Sequence, residues 1–139
     1  ITRSNDGFAV AYRILDGLGY AAGRRVSDSG DVTTDALRLS PESPGQSHFR
    51  LASGSSSEFV TWQDARHLGG PISAQSIYGN QWLRNESSPS ALGSTFWPHS
   101  VGLAAGTAAE LGGVASVGDD VWISLLTTSG ARLIRLPSP

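Results

Sequence analysis

Short hydrophobic runs alternate with turn-forming residues along the whole chain. The runs are rich in Val, Ile, Phe, Trp and Thr, and they are bounded by Gly, Ser, Asp and Pro. This pattern is typical of β-strands. Residues 121–126 are apolar on both sides of a period-2 alternation, apart from Ser124. We therefore expect this strand to be sandwiched between two layers.

The pattern repeats with a step of about fifty residues. Residues 8–13 resemble residues 59–64, and residues 48–54 resemble residues 100–106. In each unit a second strand is predicted, then a turn, then a short third strand. The second strands cover residues 20–26, 72–77 and 121–127. The turns that follow them cover residues 28–30, 78–80 and 128–130. The third strands cover residues 36–39, 81–84 and 131–136. We therefore predict an all-β fold in one β-repeat domain, with units of about 1–47, 48–98 and 99–139.

Two strand motifs carry a family resemblance. Residues 59–66 read Phe-Val-Thr-Trp-Gln-Asp-Ala-Arg, and Ile72, Ala74 and Gln75 form a second motif. Together they resemble the repeats of bacterial secreted β-propeller proteins, which alternate Phe-Val-x-Trp-x-Asp-x-Arg strands with Ile-x-Ala-Gln type strands. Tyr12 stands at the Trp position in the first unit, and Val114 in the third. The resemblance implies a β-propeller-like array of three four-stranded antiparallel blades, in an extracellular or cell-surface protein.

Three blades are too few to close a ring, since propellers have roughly four to eight. An open array leaves sheet faces uncovered and invites association. We therefore expect the array to be part of a larger ring. A second copy, a partner chain or a missing part of the same protein would complete it. The sequence contains no Met, so Ile1 is expected to be a processed or truncated end.

Composition narrows the function classes. The net charge is −2, which gives no electrostatic reason to expect nucleic acid or an anionic membrane as a partner. No apolar run approaches the roughly 20 residues of a membrane-spanning helix. The absence of Cys excludes disulfides, thiolate metal sites and a cysteine nucleophile. No nucleophile elbow, carboxylate pair or metal-ligand spacing is present, so we predict no catalytic residue, metal or cofactor.

Two tryptophans near predicted loops are the candidates for ligand binding. The rings of Trp82 and Trp97 could stack on a sugar, with Arg84 as a polar partner, and Arg66 is a further ligand candidate. The favoured role of Trp97 is nevertheless packing between blades, and Arg66 is expected to pin its loop with Asp64.

These features favour a non-catalytic binding or scaffolding module, secreted or on the cell surface, completed by self-association or by a partner chain. The alternative is a carbohydrate-binding, lectin-like propeller or the remnant of a propeller hydrolase.

Overall fold

The computed structural model describes residues 1–64, 76–83, 109–118 and 120–136. Within these ranges the regular elements are all strands. They are β1 (Thr2–Ser4), β2 (Gly7–Ile14), β3 (Tyr20–Val26), β4 (Leu37–Arg38), β5 (Ser47–Ser53), β6 (Ser57–Asp64), β7 (Ser76–Leu83), β8 (Ala109–Val117), β9 (Asp120–Thr127) and β10 (Gly130–Leu136).

The strands of this part of the chain form three antiparallel sheets. Sheet one has the order β1-β2-β3-β4, sheet two β5-β6-β7, and sheet three β10-β9-β8. The all-β prediction is confirmed, and each sheet is a meander of sequential strands. Sheet one has the four strands expected of a blade, while the described residues of the other two sheets supply three strands each.

Most strands predicted within these ranges are confirmed. β3 coincides with the predicted residues 20–26, and β9 and β10 include the predicted residues 121–127 and 131–136. The turn predicted at residues 78–80 is wrong, because these residues lie inside β7. Tyr78 and Asn80 are buried there, and Asn80 Nδ2 donates to the Leu39 carbonyl oxygen at 2.9 Å. Packing against sheet one therefore overrides the local turn preference of Gly and Asn.

Sheet two is the middle layer of a stack. Alternate residues of β6 and β7 point to opposite sides, as strand geometry requires. One face packs on sheet one in a cluster of Ala9, Ala21, Leu37, Leu39, Val60, Trp62, Tyr78 and Trp82. The other face packs on sheet three in a cluster of Phe59, Ile77, Leu111, Ile123, Leu125 and Ile134. Sheet two therefore contributes to both hydrophobic cores.

Among the described residues, sheet three is covered on one face. Ile123 and Leu125 are buried against sheet two. Leu126 and Leu133, which point the other way, are 52% and 65% exposed. No described residues form a layer beyond sheet three, so the expectation that residues 121–126 lie between two layers stays a prediction.

A close approach between sheets one and two requires glycine at position 23. A Cβ atom on Gly23 would lie 2.8 Å from Cζ3 of Trp82 and 2.7 Å from Cδ1 of Leu39. Both neighbours are almost completely buried, so neither has open space to move into. Gly113 of sheet three contrasts with Gly23, since its added Cβ would meet only the Ser124 Oγ at 3.5 Å.

Replacing Gly23 by Ala is expected to destabilise the fold by about 1–3 kcal/mol, because the methyl group overpacks the contact with Trp82. The matched control is Gly113→Ala, which should be neutral or slightly stabilising. Urea denaturation monitored by tryptophan fluorescence measures both. Equal midpoints for the two variants would show that sheets one and two do not approach as closely as described.

Candidate functional site

Each sheet carries a pair of small or short side chains at the same place in its central hairpin. The pairs are Ala11 with Gly23, Thr61 with Gly79, and Gly113 with Ser124. Each pair lies directly beside the motif position held by Tyr12, Trp62 or Val114. In sheet one the pair lies on the face toward sheet two, and in sheet two it lies on the face toward sheet three. We call the face that carries the pair the forward face of each sheet. The opposite side of each sheet is its rear face.

In sheet one the small pair is covered by an aromatic ring from sheet two. Trp82 packs against Gly23 and is only 2% exposed. The guanidinium carbon of Arg25 lies 4.3 Å from the centroid of the Trp82 ring. A cation placed over an aromatic face in this way is stabilised by the ring's negative potential. The forward face of sheet one and the rear face of sheet two are thus matched by shape and by charge.

A buried ion pair joins the same two faces. Arg25 Nη2 lies 2.8 Å from Glu58 Oε2, and the hydroxyl of Ser4 donates to Glu58 Oε1 at 2.8 Å. The Glu58 side chain is 1% exposed and that of Arg25 15%. Because a buried carboxylate is costly unless it is paired, Glu58 requires this arginine. The sequence signal for the pair was an acidic residue on the face of β6 that also carries Val60 and Trp62.

In sheet two the small pair is covered by sheet three. Thr61 is fully buried. Phe59 and Ile77, on the same face, pack against aliphatic side chains of sheet three. Two further contacts join these sheets: Arg50 Nε donates to the Gly112 carbonyl oxygen at 3.1 Å, and the Ser116 hydroxyl donates to the Ser53 carbonyl oxygen. The stack therefore continues in the same direction from sheet two to sheet three.

In sheet three the small pair has no described layer over it. Gly113 and Ser124 form the floor of an open hollow of about 190 Å³. Its other lining residues are Val114, Ala115, Trp122 and Leu133. Ser124 is held in place, because its hydroxyl accepts a hydrogen bond from the Gly113 backbone N–H at 2.7 Å. The hollow is thus an apolar depression on a fixed floor.

The forward face of sheet three is apolar at its centre and charged at its ends. The half-buried Trp122 and the exposed Ala115, Leu126, Ala131 and Leu133 make up the centre. Glu110 is exposed beside Leu126, its cross-strand partner. At the other end Asp120 pairs with Arg135 at 2.6 Å. This combination of an apolar centre and charged ends makes the forward face of sheet three the candidate interaction surface of the described residues.

The rear face of sheet one is aromatic and basic. Phe8, Val10 and Tyr12 are half-buried on it. The guanidinium carbon of Arg3 lies 4.9 Å from the centroid of the Phe8 ring. Arg24 is exposed on the same face, and within the described ranges it has no ion-pair partner. Arg3 is paired with Asp28 at 2.6 Å. The difference in charge between the two ends of the stack therefore comes from Arg24 and Glu110.

A separate cleft of about 230 Å³ lies at the edge of sheet one. It is bordered by Ser4, Asp6, Phe8, Arg25 and Thr33, together with neighbouring backbone. Two charged side chains line it, Asp6 and Arg25, and Arg25 is engaged by Glu58 and Trp82.

Of the predicted ligand residues, only Trp82 lies within the described part of the chain. Trp82 lies in the interior, where Gly23 and Arg25 contact its ring, so a sugar could reach it only by separating sheets one and two. Arg66, Arg84 and Trp97 lie outside the described residues, as do Ile72, Ala74 and Gln75 of the second motif. The structure therefore brings none of the other ligand candidates to Trp82 in the part it describes.

Two other kinds of feature are absent from the described residues. No group of three or more His, Asp or Glu side chains lies close enough together there to hold a metal ion. None of the described segments forms a helix with the length and hydrophobicity needed to cross a membrane.

Comparison of the chain with protein-family models, with curated proteins and with solved structures gave no match. The resemblance to propeller repeats therefore rests on the sequence motifs. Arguments about function rest on the surfaces described above.

Replacing Glu58 by Gln is expected to destabilise the protein by about 3 kcal/mol, because the Arg25 guanidinium then remains in the interface without its carboxylate. The control is Asp28→Asn, which removes the exposed ion pair with Arg3 and should cost less than about 1 kcal/mol. Urea denaturation at neutral pH compares the two. A loss for Glu58→Gln no larger than that for Asp28→Asn would contradict the structural role of the buried pair.

Proposed function

We propose that the chain is a non-catalytic binding or scaffolding module whose stack of sheets is continued by a β-sheet of another chain. That chain is a second copy or a partner, and the completed assembly is a β-propeller-like ring, secreted or displayed at the cell surface. The observation that carries the proposal is the forward face of sheet three. It is equivalent in position to two faces that are covered by a neighbouring sheet within the chain.

The pattern of small pairs supports this proposal. The first pair is covered by Trp82 and the second by sheet three, whereas the third forms an open hollow. Covering the centre of the forward face would remove Trp122, Leu126 and Leu133 from water. Complete burial of an exposed large apolar side chain contributes roughly 1.5–3 kcal/mol, so burial of these three residues favours association.

The burial of Trp82 argues against the carbohydrate-binding alternative at this residue. A ring that stacks on sugar must present one face to solvent, and the Trp82 ring contacts Arg25 and Gly23 inside the stack. The forward face of sheet three has the opposite character. It is broad and apolar, which suits a protein sheet better than a polar sugar.

Light scattering on the chain in solution tests the proposal. We expect a mass of two chains or more for the unmodified protein. In Leu133→Arg the association should weaken at least tenfold, because a charge is placed at the centre of the apolar face. The matched control is Leu15→Arg, since Leu15 is 77% exposed in a turn away from this face.

Both variants should remain folded, because both leucines are exposed in the single chain, and circular dichroism checks this. A well-folded protein that remains a monomer as its concentration is raised would contradict completion of the stack by a second copy. An assembly that Leu133→Arg and Leu15→Arg weaken equally would contradict the proposed role of the forward face of sheet three.

A further inference from the structure

We infer that the sheet covering the forward face of sheet three is sheet one of a second copy of the same chain, docked through its rear face. The inference rests on the proposed function and names the occupant of the same surface. It follows from a comparison of the contacts that sheets one and two make within the chain with the residues at the equivalent positions on the two end faces.

The cross-strand pairs fix which positions are equivalent. Arg25 lies two residues after Gly23 of the first small pair, and Leu126 lies two residues after Ser124 of the third. Arg25 of sheet one therefore corresponds to Leu126 of sheet three. On the rear faces, Glu58 of sheet two corresponds to Phe8 of sheet one, because each lies four residues before the Trp62 or Tyr12 position. The contact between Arg25 and Glu58 therefore predicts a contact between Leu126 and Phe8 of the next copy.

The chemistry of these two positions changes together. Inside the chain the contact is a buried arginine with a buried glutamate. At the ends it becomes a leucine, 52% exposed, facing a phenylalanine. A rear face that carried glutamate at this position, as sheet two does, would bury an unpaired charge against Leu126. Sheet one removes that penalty, because it presents an aromatic ring there.

The hollow on sheet three also fits this occupant. In the chain, an aromatic side chain of the rear face covers the Ala11–Gly23 pair. On the rear face of sheet one the position of Trp82 is held by Val26, and its cross-strand partner is Phe8. The aromatic ring is thus shifted to the adjacent strand, where it can cover both Leu126 and the Gly113–Ser124 hollow. Phe8 would then cover the small pair of sheet three with an aromatic ring, as Trp82 does at Gly23 of sheet one.

The charges of the two end faces are complementary. Glu110 is exposed beside Leu126 on sheet three, and Arg24 is exposed beside Val10 on sheet one. Neither forms an ion pair within the ranges that the structure describes. Docking in the inferred direction brings the face that carries Glu110 to the face that carries Arg24, so the two charges are of opposite sign.

Cysteine crosslinking tests the inference, because the chain has no Cys of its own. Phe8→Cys and Leu126→Cys chains are mixed and treated with a bis-maleimide that spans about 10 Å, the spacing of stacked sheets. We expect crosslinked dimers in the mixture and almost none in either chain alone. Mixing Arg24→Cys with Glu110→Cys provides a second pair at exposed positions, where substitution leaves the fold intact. Leu15→Cys, mixed with each variant, is the control for random collision.

The outcomes separate this inference from the proposed function. Crosslinks that require both members of a pair support docking of sheet one on sheet three. Self-crosslinking of Leu126→Cys alone would overturn the inference in favour of two sheets three meeting face to face. An assembly that Leu133→Arg weakens but that gives no crosslink for either pair would also overturn it, while leaving the proposed function standing. A monomeric chain would overturn the inference as well.

Discussion

The contact between sheets one and two depends on one tryptophan that fits only because the residue facing it is glycine. Trp82 occupies the space where Gly23 would otherwise carry a side chain, and Arg25 lies over its ring. The same arginine neutralises Glu58, which has almost no exposure to water. Shape and charge thus fix the same relative position of the two sheets. A shift by one residue would separate the ion pair and place the tryptophan against a side chain.

The small pairs extend this constraint to the whole stack. They recur at one position in each hairpin, so each sheet presents a similar forward face to the next. The side chains that cover them differ: an aromatic ring over sheet one, and aliphatic side chains over sheet two. The three forward faces share the backbone geometry of the small pair but carry different side chains around it. Each face can therefore pack against a different neighbouring sheet. The forward face of sheet three then combines the same geometry with an apolar chemistry of its own.

The strands were largely predictable from sequence, and the exceptions have physical causes. The alternation of apolar residues and the flanking turn residues located β3, β9 and β10, because local pattern and tertiary burial agree there. They disagree at residues 78–80, where Gly79 faces Thr61 and the neighbouring side chains are buried on sheet one. The sequence pattern showed that both faces of β9 are apolar. The described residues cover one of these faces and supply no layer over the other.

The candidate site was less predictable, because it depends on contacts between residues distant in sequence. Trp82 was placed near a loop on the basis of its neighbours, yet it fills a gap left by a glycine 59 positions earlier. The pairing of Arg25 with Glu58 spans 33 positions and has no local motif. The only sequence feature that indicated an uncovered sheet face was the number of repeats, which is too small to close a ring. The repeat did show which positions of the three units correspond. This correspondence is the basis for comparing the forward face of sheet three with the rear face of sheet one.

A double-mutant cycle between Gly23→Ala and Trp82→Leu tests most directly whether an aromatic ring seated on a small pair holds adjacent sheets together. The smaller leucine should make room for the added methyl group, so the loss caused by Gly23→Ala should shrink in the Trp82→Leu background. We expect a coupling free energy of about 1–2 kcal/mol, measured by urea denaturation of the four proteins. Additivity within about 0.5 kcal/mol would contradict the account, because it would mean that the two residues do not meet.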